Sequence, residues 1–187
     1  MNEELLSDPD FHRKLQKRNT DAFHLLYEEF KIPLYHLIFS MIKDNEKTAD
    51  ILQDTFIKII RKIDQLQDFN KLKHWIFRIA VNSTINVLNR DKRLSLPGDD
   101  LEILYDRIAV DDFQVLQSED PEELRALILE LVERLPLKQR IVFNLKYVEN
   151  FKELEIAEIL DIPVGTVKSR LNISRNRIKE WLERESG

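Results

Sequence analysis

Near the C-terminus, Gly165, Thr166, Lys168, Ser169, Arg170, Asn172 and Arg175 crowd into the run IPVGTVKSRLNISR. They supply hydroxyls, an amide and cations, with no histidine, cysteine or carboxylate among them. Such a set holds no nucleophile beside a base and no metal ligands, but it hydrogen-bonds well and neutralises anions. Its natural chemistry is contact with a polyanion, with the cations on phosphates and the amide and hydroxyls on phosphates or base edges. Val164, Val167, Leu171, Ile178 and Trp181 recur between them at helical spacing. One side of a helix can therefore be seated on a core while the other faces outward.

A second group of the same character lies between residues 71 and 93. Lys71, Lys73, Arg78, Arg90 and Arg93 are cationic, and Asn82 and Asn86 fall with Arg78 and Arg90 in a polar band along one side of a helix. Asparagine is a mediocre helix former, so this run, with Asn89, needs a reason. Amides that bond base edges are one. Trp75 is sized for the core or for stacking on a base. A third group, Asp50, Leu52, Gln53, Asp54 and Phe56, mixes carboxylates four apart with apolar neighbours. It reads either as a solvated acidic edge or as a polar-rimmed protein interface.

The four histidines, His12, His24, His36 and His74, form no H-x-x-x-H or E-x-x-H pair. The spacing of Asp21 to His24 is better explained by a capped helix start than by a metal site. No glycine-rich phosphate loop and no G-x-S-x-G motif occur. No catalysis, cofactor or small-molecule substrate is expected.

The elements that must position these groups are helical. The chain has 187 residues, 43% of them apolar, only three glycines, six prolines and no cysteine. Disulfides and thiolate sites are excluded, which suits a reducing cytosol, and a cytoplasmic location is expected. The N-terminus has no basic region followed by an apolar run, so no signal peptide is expected. The most apolar window, IPLYHLIFSMI, is too short to span a bilayer.

The fold expected is all-α, with two small helical domains joined by a linker, the C-terminal one containing a helix-turn-helix. Helices are predicted over about Asp8–Arg18, from Thr20 or Asp21 as cap with a kink or new first turn at Pro33, from Asn45 as cap to about Ile63, and over about Lys71–Arg93. The stretch DQLQDFN between the last two is read as a loop. The stripe of the third helix takes in Ile51, Leu52, Thr55, Phe56, Ile59, Ile60 and Ile63. Residues 94–119 lose this regularity and form an acidic linker. A capped helix then starts at Asp120–Pro121 and ends at Pro136, followed by helices over Leu137–Val148, Lys152–Leu160 and Val164 to about Glu183. The domains are thus 1–93 and 120–187.

Charge follows the same division. The net charge is −5, yet residues 97–123 alone hold ten acids and one base, while 164–179 hold five bases and no acid. Two basic helices flanking an acidic bridge point to a polyanionic partner as readily as to solvated helix faces. In the last pair of helices, Ala157 is small enough for a close crossing, Ile162 plugs the turn, and Asp161 stands where a left-handed residue is needed, a conformation Asp tolerates. That is the pattern of a helix-turn-helix entering a major groove, with Gly165 allowing close approach to the DNA backbone and Arg170, Arg175 and Arg177 available to phosphates.

EIAEILDIPVGTVKSRL, preceded by LPLKQRIVFNLKYVENF, resembles region 4 of the extracytoplasmic-function (ECF) sigma factors of the sigma-70 family. DAFHLLYEEF, TADILQDTFIKI and HWIFRIAVNSTINVLNRDKR resemble region 2 of the same family, in order and spacing. Asp161, Ile173 and Ala49 depart from residues frequent in the family. The resemblance implies a promoter-recognition subunit of RNA polymerase and not an enzyme. Gly165, Thr166, Lys168, Ser169, Arg170, Asn172 and Arg175 would meet the upstream (−35) element as duplex. Lys71, Lys73, Trp75, Arg78, Asn82, Asn86, Arg90 and Arg93 would hold the melted downstream (−10) strand, with a flipped base against DQLQDFNKLK. Asp50, Leu52, Gln53, Asp54 and Phe56 would bind the clamp helices of the largest polymerase subunit. The flap of the second-largest subunit, promoter DNA and an anti-sigma factor are the other partners implied. The alternative from the residues alone is a two-domain helix-turn-helix regulator with an N-terminal helical sensor; it lacks the alternating strands of a receiver domain.

Overall fold

The computed structural model describes residues 3–91 and 121–185. Every regular element among them is helical, and they fall into two compact units, one built on the N-terminal helices and the other on the C-terminal ones. The expected acidic linker, 94–119, and Arg93 lie outside the described residues.

The first unit contains α1 (Glu3–Ser7), α2 (Pro9–Gln16), α3 (Thr20–Ile42), α4 (Asn45–Lys62) and α5 (Leu72–Asp91). Helices α3, α4 and α5 pack pairwise on one another. Between them lie Leu26, Phe30, Leu34 and Ile38 of α3, Ile51 and Ile59 of α4, and Ile76, Phe77, Ala80 and Val81 of α5. The rings of Phe30 and Phe77 meet edge to face, centroids 6.3 Å apart. This apolar face explains why α3 does not break at Pro33, as the sequence suggested it would. A proline inside a helix costs about 3 kcal/mol. Each large side chain that the continuous helix buries returns roughly 1.5–3 kcal/mol, and α3 buries Leu26, Phe30, Leu34, Leu37, Ile38 and Met41.

The helix starts differ from expectation by one residue. Asn19, not Thr20 or Asp21, caps α3, its side chain accepting the Ala22 N–H at 3.0 Å. Asp44 caps α4 by accepting from Lys47 N–H at 3.1 Å. Asn45, the expected cap, instead accepts the Tyr35 hydroxyl proton at 2.8 Å. The predicted loop DQLQDFN is mostly two tight 3₁₀ turns, Ile63–Gln65 and Phe69–Lys71, and Asp68 opens the second by accepting from Asn70 N–H at 3.0 Å. Ile60, placed inward by its spacing, is 40% exposed.

The second unit is built on α6 (Pro121–Arg134), α7 (Leu137–Phe143), most of α8 (Glu153–Leu160) and α9 (Val164–Glu185). Its core joins Leu131, Val132 and Leu135 of α6 to Phe143 of α7 and to Ile178 and Leu182 of α9, with Trp181 packed at the edge. The helix expected over Leu137–Val148 is not uniform. After Phe143 it widens into a π-helical turn, Asn144–Val148, closed by Glu149 N–H on the Asn144 carbonyl at 3.0 Å. Asn150 then takes a left-handed φ of 59°, and Phe151 N–H reaches the Leu145 carbonyl at 2.9 Å. The extra residue lets both Leu145 and Phe151 turn inward, where each is buried. Arg140 ties α7 to the end of α6, donating to the carbonyls of Glu133 at 2.7 Å and Leu135 at 3.2 Å. Burial holds its guanidinium below the ordinary arginine range, since desolvation disfavours the charged form.

Candidate functional site

The C-terminal constellation is built on a sharp turn. Helix α8 opens with the Glu155 carboxylate accepting Lys152 N–H at 2.7 Å. It ends at Asp161, whose φ of 54° and ψ of 48° place it in the left-handed region, as its chemistry allows. Asp161 N–H bonds the Ala157 carbonyl, and Ile162 N–H bonds it too at 3.1 Å. Pro163 then starts α9 with no donor to lose, its carbonyl taking Thr166 N–H at 3.0 Å and Val167 N–H at 3.3 Å.

Along α9, Val167 and Leu171 are buried, which turns the intervening residues outward. Gly165, Lys168 and Ser169 are exposed, and Thr166, Arg170, Asn172 and Arg175 are half-buried. A Cβ on Gly165 would meet nothing within 4 Å, so the glycine is not there to make room inside the protein. The Lys168 ammonium lies 3.9 Å from the Glu153 carboxylate, an exposed pair that a polyanion can displace at small cost. Arg177, read from sequence as a phosphate ligand, is instead engaged by the buried Gln139, to which it donates at 3.0 Å. Within the half-buried set, Asn172 Oδ1 and Arg175 Nε have no hydrogen-bond partner.

On α5, Arg78, Asn82, Asn86 and Arg90 are all exposed. Their four-residue steps advance about 40° each, so they form one slowly winding polar stripe. The opposite face is fixed by Leu72, Ile76, Phe77, Ala80 and Val81, all buried. Lys71 is exposed at the helix start, while Lys73 and Trp75 are half-buried. Ser83, buried, accepts from Lys58 of α4 at 2.9 Å, which locks the rotation of α5.

The third constellation is redistributed. Asp50, Gln53 and Asp54 are exposed along α4, and Leu52 is half-buried. Phe56 is not available to a partner. It is 8% exposed, with its ring 4.8 Å from that of Tyr27. Ile57, missed in the sequence reading, occupies the exposed position, at 38%. The signal was present: 50, 53, 54 and 57 follow the spacing of one helix face.

Among the described residues no group of histidine, cysteine, aspartate and glutamate is arranged to hold a metal ion. No helix there is long and apolar enough to cross a membrane.

A helix-turn-helix with an outward polar face, carried in a chain whose other unit bears an amide and arginine stripe, defines a helical protein of the nucleic-acid-binding class. Comparison with known proteins sharpens this. The family described as Sigma-70 region 2 matches residues 26–94, and Sigma-70, region 4 matches residues 125–183. The ECF RNA polymerase sigma factor SigW of Bacillus subtilis is 31% identical over 175 residues, covering 91% of this chain and 94% of that one. The ECF RNA polymerase sigma-E factor of Escherichia coli is 30% identical over 185 residues, covering 94% of each. Two solved structures share the fold. CnrH, in complex with the cytosolic domain of CnrY, has a TM-score of 0.63 at 20% identity, covering 93% of this chain and 96% of that one. The sigma factor RpoE, in complex with the anti-sigma factor NepR from Bartonella quintana, has a TM-score of 0.60 at 24% identity, covering 84% and 96%.

The chain belongs to the ECF RNA polymerase sigma factors. Its partners are core RNA polymerase and promoter DNA, it acts in transcription initiation, and the sensor-regulator alternative is not favoured.

Proposed function

We propose that α9 reads the upstream promoter element as duplex. Thr166, Lys168 and Ser169 face base edges and phosphates in the major groove, and Arg170, Asn172 and Arg175 flank them. The melted downstream strand runs along α5, over Asn82 and Asn86, with Arg78 and Arg90 on its phosphates and Arg93 extending the cationic path. Lys71, Lys73 and the Asp68–Asn70 turn line the side where an unstacked base is received, and Trp75 supports that end of the helix. Asp50, Leu52, Gln53 and Asp54 meet the clamp helices of the polymerase, with Ile57 in place of Phe56 as the apolar member. The second unit meets the flap of the second-largest subunit. An anti-sigma factor holds the chain inactive in the cytoplasm, and the chemistry of RNA synthesis stays with the polymerase, without a cofactor from this chain.

The observation that carries this reading is the outward set Gly165, Lys168 and Ser169 on a helix whose Val167 and Leu171 are buried. Sigma-free core polymerase mixed with this chain and a promoter should initiate at one start site, and core polymerase alone should not. Failure to confer initiation would remove the assignment.

Gly165 gives a sharper test. Alanine there fits the open space and should favour the helix by about 1 kcal/mol. The melting temperature should hold or rise, while initiation falls because the new methyl group stands between α9 and the DNA backbone. Thermal denaturation beside a transcription assay separates the two effects. Undiminished initiation would place Gly165 away from DNA.

A further inference from the structure

The region 2 match begins at residue 26, so α1 and α2 lie ahead of it. These two short helices are nevertheless built onto the turns that precede α5. Helix α1 packs on Phe69–Lys71, and α2 packs on Ile63–Gln65. His12 is the joint. Its ring is stacked on that of Phe69, centroids 4.8 Å and planes 27° apart. Its Nε2 donates to the Leu6 carbonyl at 2.5 Å, which couples α2 back to α1. The other end of α2 is fastened by Arg18, whose φ is 56° and whose guanidinium pairs with Asp64 and donates to the Ile60 carbonyl at 3.4 Å. Phe11, Leu15, Leu66 and Phe69 are buried, whereas Gln67, Asp68, Asn70 and Lys71 are exposed.

We infer that His12 is a positioning residue for promoter-strand capture. By stacking on Phe69 it sets the turn so that Asp68, Asn70 and Lys71 face the incoming strand in one arrangement before binding. The inference rests on the reading that this turn meets the unpaired strand. A turn ordered in advance loses less freedom on binding, and the saving appears as affinity for the strand. The residue touches no DNA itself. Its effect passes through one ring contact, so it belongs to the strand and not to the upstream duplex.

The test uses holoenzyme assembled from the full chain and core polymerase. The probe is a fluorescent single-stranded oligonucleotide carrying the non-template strand of a promoter mapped from transcripts that rise when the chain is overproduced. His12→Ala should weaken capture about fivefold, the scale of a lost ring–ring contact. His12→Phe, which keeps a stacking ring, should stay within about twofold of the parent. Affinity for core polymerase and for duplex carrying only the upstream element should not change. If Asn70→Ala and Lys71→Ala both bind the strand as the parent does, the turn does not read it and the underlying reading fails. If those variants weaken capture and His12→Ala does not, only the positioning role fails. Equal loss of all three affinities in His12→Ala would make the residue a fold element and overturn the inference.

Discussion

Changing Lys168 and Ser169 together to alanine should lower promoter-dependent initiation by roughly tenfold to a hundredfold, because each good contact to a base or phosphate is worth about 1–3 kcal/mol. Both side chains are exposed, so the substitution opens no cavity and helical content should be unchanged. The size of the effect follows from where the residues stand. Val167 and Leu171 fix the rotation of α9 from beneath, so Lys168 and Ser169 have no other surface to face. Lys168 adds a signature of its own. Losing one phosphate contact should reduce the slope of log affinity against log salt by about one. The measurement is binding of holoenzyme to upstream-element duplex over a salt series, beside run-off transcription. An unchanged slope with unchanged transcription would remove Lys168 from the DNA. The nearby Glu153 does not offset this, since an exposed pair contributes about 0–1 kcal/mol.

The second large effect is on stability. Phe77→Ala should cost the first unit about 3–5 kcal/mol, against a total of about 5–15 kcal/mol for an ordinary domain. Phe77 is fully buried, in edge-to-face contact with Phe30, at the meeting of α3 and α5. The second unit has its own core around Leu131, Leu135, Phe143 and Ile178, so its stability should not follow. The chain offers a convenient readout, since its two tryptophans are divided between the units, Trp75 in the first and Trp181 in the second. Urea denaturation followed by fluorescence in Trp75→Phe and Trp181→Phe backgrounds reports each unit separately. The Trp75 transition should move to much lower urea, and the Trp181 transition should stay. A joint shift of both would mean that the units do not unfold independently.

How far the sequence carried depended on how many neighbours each residue had to be weighed against. The α8–α9 motif was legible to the residue, including the left-handed Asp161, because the positions of small, apolar and polar groups all agreed. The outward faces of α5 and α9 followed from the same periodicity. Other features turned on contacts that one dimension does not hold. Asn19 and Asp44 compete as caps with equally suitable neighbours, and the second contest is settled by Tyr35, ten residues from the Asn45 it occupies. Phe56 and Ile57 are adjacent apolar residues, and only the ring of Tyr27 on α3 decides which is drawn inward. Pro33 carried a strong local signal that the buried face of α3 outweighed. Arg177 looked like its basic neighbours until Gln139, 38 positions away, claimed it. Helix α1 is five residues long, too short to show a period at all.

The wide turn at Asn144–Val148 has a consequence for how this protein can change over generations. It stores one residue of slack. Removing a residue there would let the chain rewind as ordinary α-helix with no gap to bridge. The cost would fall on orientation, because every side chain past the deletion would swing by about 100° relative to those before it. Tyr147, now lying 4.5 Å from Phe143, would be carried off that ring, and the buried Phe151 would lose its place. The turn is therefore where length is cheap to alter and phase is not.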